Sequence, residues 1–403
     1  MKKATKYFFC VLFSLLLLVP ITISVNAKEQ TPLSVWVASD IHYKPQSALN
    51  PIEQQNPLPG DPLFHHVNGK GMLLYEADAI MNEILTRFKK SSAKYLLLTG
   101  DLSENGSLDQ HLGIAKILKE FKEKTGKKIF VIPGNHDISK SNLDNHIDLT
   151  DFLSIYADFG YNEALVKHKG SASYTAELDS GYRLIAIDAC IYDEDGSVMS
   201  PNLLAWIETQ VLQAKQDGKK LVGMIHHSVL EHFGIQSVAG SLLCLENYRG
   251  NATKFADWGI KYFFTGHEHA NDITMAVSQK GNRIYDMETG GLTTYPNAYR
   301  VVDFAADAVK VQTGYIDSID TSFLPAGFNK AQLDLIKDDF PAYSLGYFKA
   351  SLRSVAYDMA YSTRSIAGSL KIKEGTKGYE TLSAIMGIVG DALKLPLYDK
   401  KGT

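Results

Sequence analysis

Seven side chains that can donate to a metal ion stand in five short clusters of this sequence: Asp40, His42, Asp101, Asn135, His226, His267 and His269. Together they supply carboxylate and amide oxygens and imidazole nitrogens, and no sulfur. Such a set suits Mn, Fe, Zn or a related divalent ion better than a thiolate-built structural zinc site. Seven protein ligands are too many for one tetrahedral ion. They suit two ions that share a carboxylate and keep positions open for water, an arrangement with roughly 3.5–4 Å between ions that serves in-line displacement.

Every cluster directly follows an apolar run with the length of a buried strand. Val35-Trp36-Val37-Ala38 leads to Asp40 and His42, and Tyr95-Leu96-Leu97-Leu98 leads to Gly100-Asp101. Ile129-Phe130-Val131 leads to Gly134-Asn135-His136-Asp137. Leu221 to Ile225 leads to His226-His227, and Tyr262-Phe263-Phe264 leads to Gly266-His267-Glu268-His269. The donors are therefore expected in loops at the carboxyl ends of strands, where open α/β sheets hold their ligands.

In order, these motifs read D-x-H, G-D, G-N-H-D, a strand-terminal His and G-H-x-H. The set, over roughly residues 33 to 320, resembles the calcineurin-like metallophosphoesterases. That resemblance implies an α/β (α+β) fold, a four-layer αββα sandwich of two mixed sheets flanked by helices. It implies one metal on Asp40, His42, Asp101 and His269, and a second on Asp101, Asn135, His226 and His267, with Asp101 bridging. It also places the general acid on His136, with Asp137 as its orienting partner. The fourth motif often continues with proline in the family, whereas here it reads His226-His227-Ser228. Registering the pattern on the preceding apolar run favours His226 as the ligand and leaves His227 as its possible substitute.

The expected reaction is hydrolysis of a phosphoester by a hydroxide held between two metals, with His136 protonating the departing alkoxide. Among relatives, the class III cyclic nucleotide phosphodiesterases are the nearest resemblance. No arginine falls within the five motifs, and a singly charged diester needs less of a cationic clamp than a dianionic monoester. The alternatives are a secreted phosphomonoesterase or nucleotidase and, from another class, a non-catalytic metal-dependent binding protein. The latter predicts eroded ligands, and all seven are present.

At 403 residues the chain divides into three expected parts. Residues 1–27 read as a signal peptide, since Lys2, Lys3 and Lys6 precede an apolar run that closes on Val25-Asn26-Ala27. An uncleaved membrane anchor is the rival, weakened by Pro20 and by Ser14, Thr22 and Ser24. Residues 28–321 form the catalytic domain, and residues 322–403 a small helical domain with apolar faces at Leu345-Phe348-Leu352 and Leu382-Ile385-Met386. The expected location is extracytoplasmic, with a membrane contact only if the leader stays attached. Cleavage would move the formal charge from −4 to −7. An acidic chain lacks the basic footprint of a nucleic-acid binder, so a small phosphoester such as a nucleotide is the expected partner. The sequence specifies no oligomeric state.

Smaller expectations concern the elements between the motifs. Helices are expected near 75–90, 107–122 with Ser107 as N-cap, 149–159, and from Ser200-Pro201 to near Gly218. A hairpin turns at Asp179-Ser180-Gly181. The proline- and glycine-rich stretch between His42 and Leu73 reads as a long loop, with His65 and His66 as surface residues. Asn105 and His111 could serve the site, although a turn and a helix face are their plainer roles. Asn271 and Asp272 could hydrogen-bond a ligating imidazole. Cys190 and Cys244 read as small buried residues with no need to pair.

Overall fold

The computed structural model describes residues 32–384 except 46, 48–70, 140–144, 180, 193–195, 235, 306–307, 353–371, 374 and 382. The expected signal segment, His65 and His66, and the apolar face at Leu382, Ile385 and Met386 lie outside the described residues. From Leu33 on, the chain forms one unit.

In chain order its strands are β1 (Leu33–Ala38), β2 (Tyr95–Leu98), β3 (Lys128–Val131), β4 (Val166–Lys167), β5 (Tyr174–Glu177), β6 (Tyr182–Ile187) and β7 (Cys190–Ile191). They continue with β8 (Gly196–Ser197), β9 (Lys220–Ile225), β10 (Tyr262–Thr265), β11 (Ile273–Val277), β12 (Arg283–Glu288), β13 (Ala298–Phe304) and β14 (Val309–Tyr315). The helices are α1 (Ala77–Lys90), α2 (Leu108–Thr125), α3 (Leu149–Ile155), α4 (Pro201–Gln216), α5 (Tyr248–Trp258) and α6 (Lys330–Asp338).

Two large mixed sheets carry the fold. One has the order β14-β13-β1-β2-β3, the other β11-β12-β10-β9-β6-β5-β4. In the first, β1, β2 and β3 run parallel, with β13 and β14 antiparallel beside them. In the second, β6, β9, β10 and β12 run parallel. Side-chain alternation divides the core. Leu184, Ala186, Val222, Met224 and Phe264 face the other sheet, and Ile185, Ile187, Leu221, Ile225 and Phe263 face the opposite way. That opposite face is covered by Leu203, Ile207 and Val211 of α4 and by Phe255 of α5. Ile80, Ile84 and Phe88 of α1 and Ile114 and Leu118 of α2 pack on the first sheet. The result is the expected order of layers, helix, sheet, sheet, helix.

Local chemistry accounts for the helix ends. Ser200 accepts a hydrogen bond from the Leu203 amide, and proline fills the first position of α4. Gly126 closes α2 in the left-handed conformation at φ 69°. Ser107 occupies the N-cap position of α2, yet its hydroxyl donates to the Asn105 Oδ1 instead of capping. The Asn105 Oδ1 also accepts from the Ser107 amide and so braces the turn ahead of α2. After α6 a second helical run covers 340–352. Its buried face is Phe340, Tyr343 and Tyr347, set in the main core, while Leu352 is exposed. The face expected from Leu345, Phe348 and Leu352 is displaced because the tyrosines bring both apolar rings and hydroxyls. The Tyr343 hydroxyl donates to the buried Glu76 ahead of α1.

Candidate metal centre

The loops leaving β1, β2, β3, β9 and β10 converge, and all seven predicted donors come together. Asp101 is at the middle. Its Oδ2 lies 3.6 Å from the His42 Nε2 and 3.3 Å from the His226 Nε2. On one side the His42 Nε2 faces the His269 Nε2 at 3.0 Å, and that nitrogen is 3.5 Å from the Asp40 Oδ1. On the other the His226 Nε2 is 3.1 Å from the Asn135 Oδ1, and the His267 ring centroid is 5.1 Å from that of His226. Asp40, His42 and His269 form one group of potential ligand atoms lying within 4.8 Å of one another. A second is Asp40, Asp101 and His226, and a third His226, His227 and His267.

Backbone carbonyls set the tautomers. A ring nitrogen facing a carbonyl must carry the proton, which leaves its partner nitrogen with the lone pair. The His226 Nδ1 lies 2.8 Å from the Thr99 oxygen, so its Nε2 points into the centre. The His267 Nε2 lies 2.7 Å from the Leu242 oxygen, so that ring presents Nδ1. The His269 Nδ1 meets the Thr294 hydroxyl at 3.0 Å. Asn271 and Asp272 do not take this role. Asn271 reaches the Thr313 hydroxyl, and Asp272 pairs with His232.

The structure differs from expectation at Asp137. The contact that orients His136 comes from the Glu104 carbonyl, 2.9 Å from Nδ1. The Asp137 carboxylate instead accepts from the amides of Leu102, Ser103 and Gly134 and from the Ser103 hydroxyl, at 2.8–3.0 Å. It ties the Asp101 loop to the Asn135 loop. Burial, with the Asp101 charge adding to it, pushes its carboxyl up to about 6. His111 supports the same loop from behind, with Nε2 2.8 Å from the Asp137 oxygen. Burial holds the His111 imidazole down at about 3, so it stays neutral.

A second carboxylate works in the same way in the other sheet, and sequence reading missed it. Asp286 accepts from the Val229 and Leu230 amides and from the Thr265 hydroxyl, joining the loop past His226 to the strand before His267. Its one sequence signal is an acid between the apolar pair Ile284-Tyr285 and Met287.

Strain is concentrated at the donors. Asp40, His42, Asp101, His267 and His269 all have left-handed backbone, with φ between 45° and 81°. Gly134 permits the close approach of two of these loops, since a Cβ there would lie 2.1 Å from the Asp101 Oδ1.

A family model for Calcineurin-like phosphoesterase matches residues 33–271, more than half of the chain. The chain belongs to that family. This calcineurin-like phosphoesterase is a metal-dependent phosphoester hydrolase, of a family that uses divalent ions. It is 27% identical over 218 residues to a probable cyclic nucleotide phosphodiesterase of Fibrobacter succinogenes, covering 53% of this chain and 73% of that one. To a probable glycerophosphodiester phosphodiesterase GpdQ of Arcobacter nitrofigilis it is 29% identical over 182 residues, covering 43% of this chain and 59% of the relative. Among solved structures, a dimetal phosphatase from Danio rerio aligns at TM-score 0.48 and 11% identity, over 70% of this chain and 96% of that one.

The phosphoesterase's own residues fit metal ions. Both nitrogens of His226 face oxygen atoms, Thr99 O on one side and Asp101 and Asn135 on the other. Burial opposes a charged ring there, but Asp101 outweighs it and raises His226 to about 10. His226 in turn overcomes the burial of Asp101 and holds that carboxyl well below the usual range. His267 is pushed down to about 4 by burial and by His226, which leaves it a neutral ligand. Lone pairs thus converge on a point that calls for positive charge, which a divalent cation supplies in place of the His226 proton. His227 is buried beside this group, its ring 3.9 Å from that of His267. Its Nδ1 lies 3.8 Å from the Cys190 Sγ. Cys190 and Cys244 are both free thiols.

Proposed function

We propose that this calcineurin-like phosphoesterase hydrolyses phosphodiesters with two divalent ions, Mn, Fe or Zn. Asp40, His42, Asp101 and His269 would hold one ion, and Asp101, Asn135, His226 and His267 the other. The observation that carries the reading is the place of the Asp101 Oδ2 between the Nε2 atoms of His42 and His226, with acceptors on both sides. Bound there, divalent ions supply Lewis acidity toward water and toward the phosphoryl oxygens.

The chain's own contribution is positioning and proton transfer. The His136 ring lies 5.0 Å from the His42 ring, centroid to centroid. Glu104 holds Nδ1, which leaves Nε2 to deliver a proton to the departing alkoxide. Diester preference is supported by the names of the two relatives above and by the charges around the centre. Arg300 directs its donors to the carbonyls of Glu288 and Asp272 and to the Thr313 hydroxyl, and so does not offer the fork that would clamp a dianion. Export with removal of residues 1–27 belongs to the same proposal. The mass of the chain recovered outside the cytoplasm would test it, with Lys28 as the expected first residue.

The deciding experiment strips the metals and reloads the protein with Mn, Fe, Zn or Mg. Bis-esters, cyclic nucleotides and monoesters are then compared. Diesters should turn over fastest with at least one ion. A preference for monoesters would transfer the reading to a phosphomonoesterase.

A further inference from the structure

Beside the centre lies a cavity of about 430 Å³ that no step above uses. It opens between the start of α3, the turn joining β4 to β5, the segment after β6 and the start of α4. One neighbour in sequence and one contact link it to the metal site. Ile138, on its wall, is two residues past His136. Cys190, also on its wall, packs its Sγ 3.8 Å from the His227 Nδ1 and 3.9 Å from the Pro133 oxygen, just ahead of Asn135.

The lining is apolar at Ile138, Leu149 and Leu203 and acidic at Asp148 and Asp188. It contains no lysine or arginine among the described residues. Asp188 is buried, with its carboxylate accepting from the amides of Ala172 and Cys190. Small-molecule pockets run from roughly 300 to 1,000 Å³ and pair apolar walls with a few placed polar groups. The volume therefore suits an alcohol-sized or nucleoside-sized group.

We infer that this cavity receives the organic substituent of the phosphoester, and that the substituent is uncharged or cationic. A substituent bearing a carboxylate or a further phosphate would meet the buried Asp188 and the exposed Asp148 at the mouth, with no lysine or arginine on the wall and with a His168 imidazole whose pKa burial lowers. The inference rests on the phosphodiesterase reading and narrows its substrate class.

The test uses the full chain loaded with the best metal and four p-nitrophenyl phosphodiesters with a shared leaving group. Their other arms are methyl, glyceryl, choline and 2-carboxyethyl. The glyceryl and choline esters should exceed the carboxyethyl ester in kcat/KM by about tenfold or more, mostly through KM. Val198, exposed at the cavity rim, gives the variant Val198→Trp, which should raise KM for the glyceryl and choline esters by about fivefold while sparing the methyl ester. Asp148→Asn retains a capping residue and should narrow the gap against the carboxyethyl ester. Equal rates on all four arms, or a Val198→Trp loss shared by the methyl ester, would overturn the cavity assignment while leaving the phosphodiesterase reading intact. Failure of the wild type on all four diesters would remove both.

Discussion

Asp101 bears on both halves of the centre through one oxygen, while its other oxygen receives the His136 amide. Replacing it by alanine should therefore lower the metal bound per chain below the wild-type content, as read by elemental analysis of dialysed protein. His136→Ala should differ in kind. Its metal content should stay at the wild-type level, while turnover of an alkyl diester falls by about 10²–10⁴-fold and that of a p-nitrophenyl diester much less. Equal losses on both leaving groups would contradict the acid role. At this scale the donors were legible because carboxylate, amide and imidazole groups are rare together after strands. The groups that orient them were not. Thr99, Glu104 and Leu242 act through main-chain oxygens, which every residue type possesses. Asp137 misled for a related reason: adjacency to His136 in sequence suggested contact, and the turn directs the two side chains to different partners.

Between elements, carboxylates act as ties. Asp137→Ala would leave three buried amides without their acceptor, at about 1–3 kcal/mol each before relaxation. A fall in the urea midpoint together with loss of activity is the expected result. A fall in activity alone would return Asp137 to the chemistry. Glu76 gives a pH signature. Burial raises its carboxyl to about 7, against 4.5 in an unfolded chain, despite the opposing hydrogen bond from Tyr343. Between those values the folded state holds the proton that the unfolded state has released. Its contribution is therefore full below pH 4.5 and is lost as pH rises through 7, an effect of at most roughly 3 kcal/mol. Glu76→Gln, which stays neutral, should gain on the wild type between pH 5 and pH 8 in denaturant midpoints. The Glu76 contact was not visible in the sequence, because an acid beside apolar residues shows only that something must compensate it, and its partner Tyr343 lies 267 residues away.

For the whole molecule, the two-sheet architecture was readable through the family resemblance carried by five motifs that each close a strand-length apolar run. The C-terminal helix was harder to orient. The spacing of Leu345, Phe348 and Leu352 suggested one face, but Phe340, Tyr343 and Tyr347 are the residues set in the main core. Phe340→Ala should accordingly cost about 3–5 kcal/mol, although Phe340 lies far along the chain from every metal donor. An unchanged melting curve would show that the C-terminal helix adds little to the body. The left-handed backbone at Asp40, His42, Asp101, His267 and His269 has a further consequence. An engineer who copied these side chains onto another scaffold in ordinary extended or helical backbone would aim them differently. The unit that could be transplanted is the set of bent loops with the strand ends that brace them.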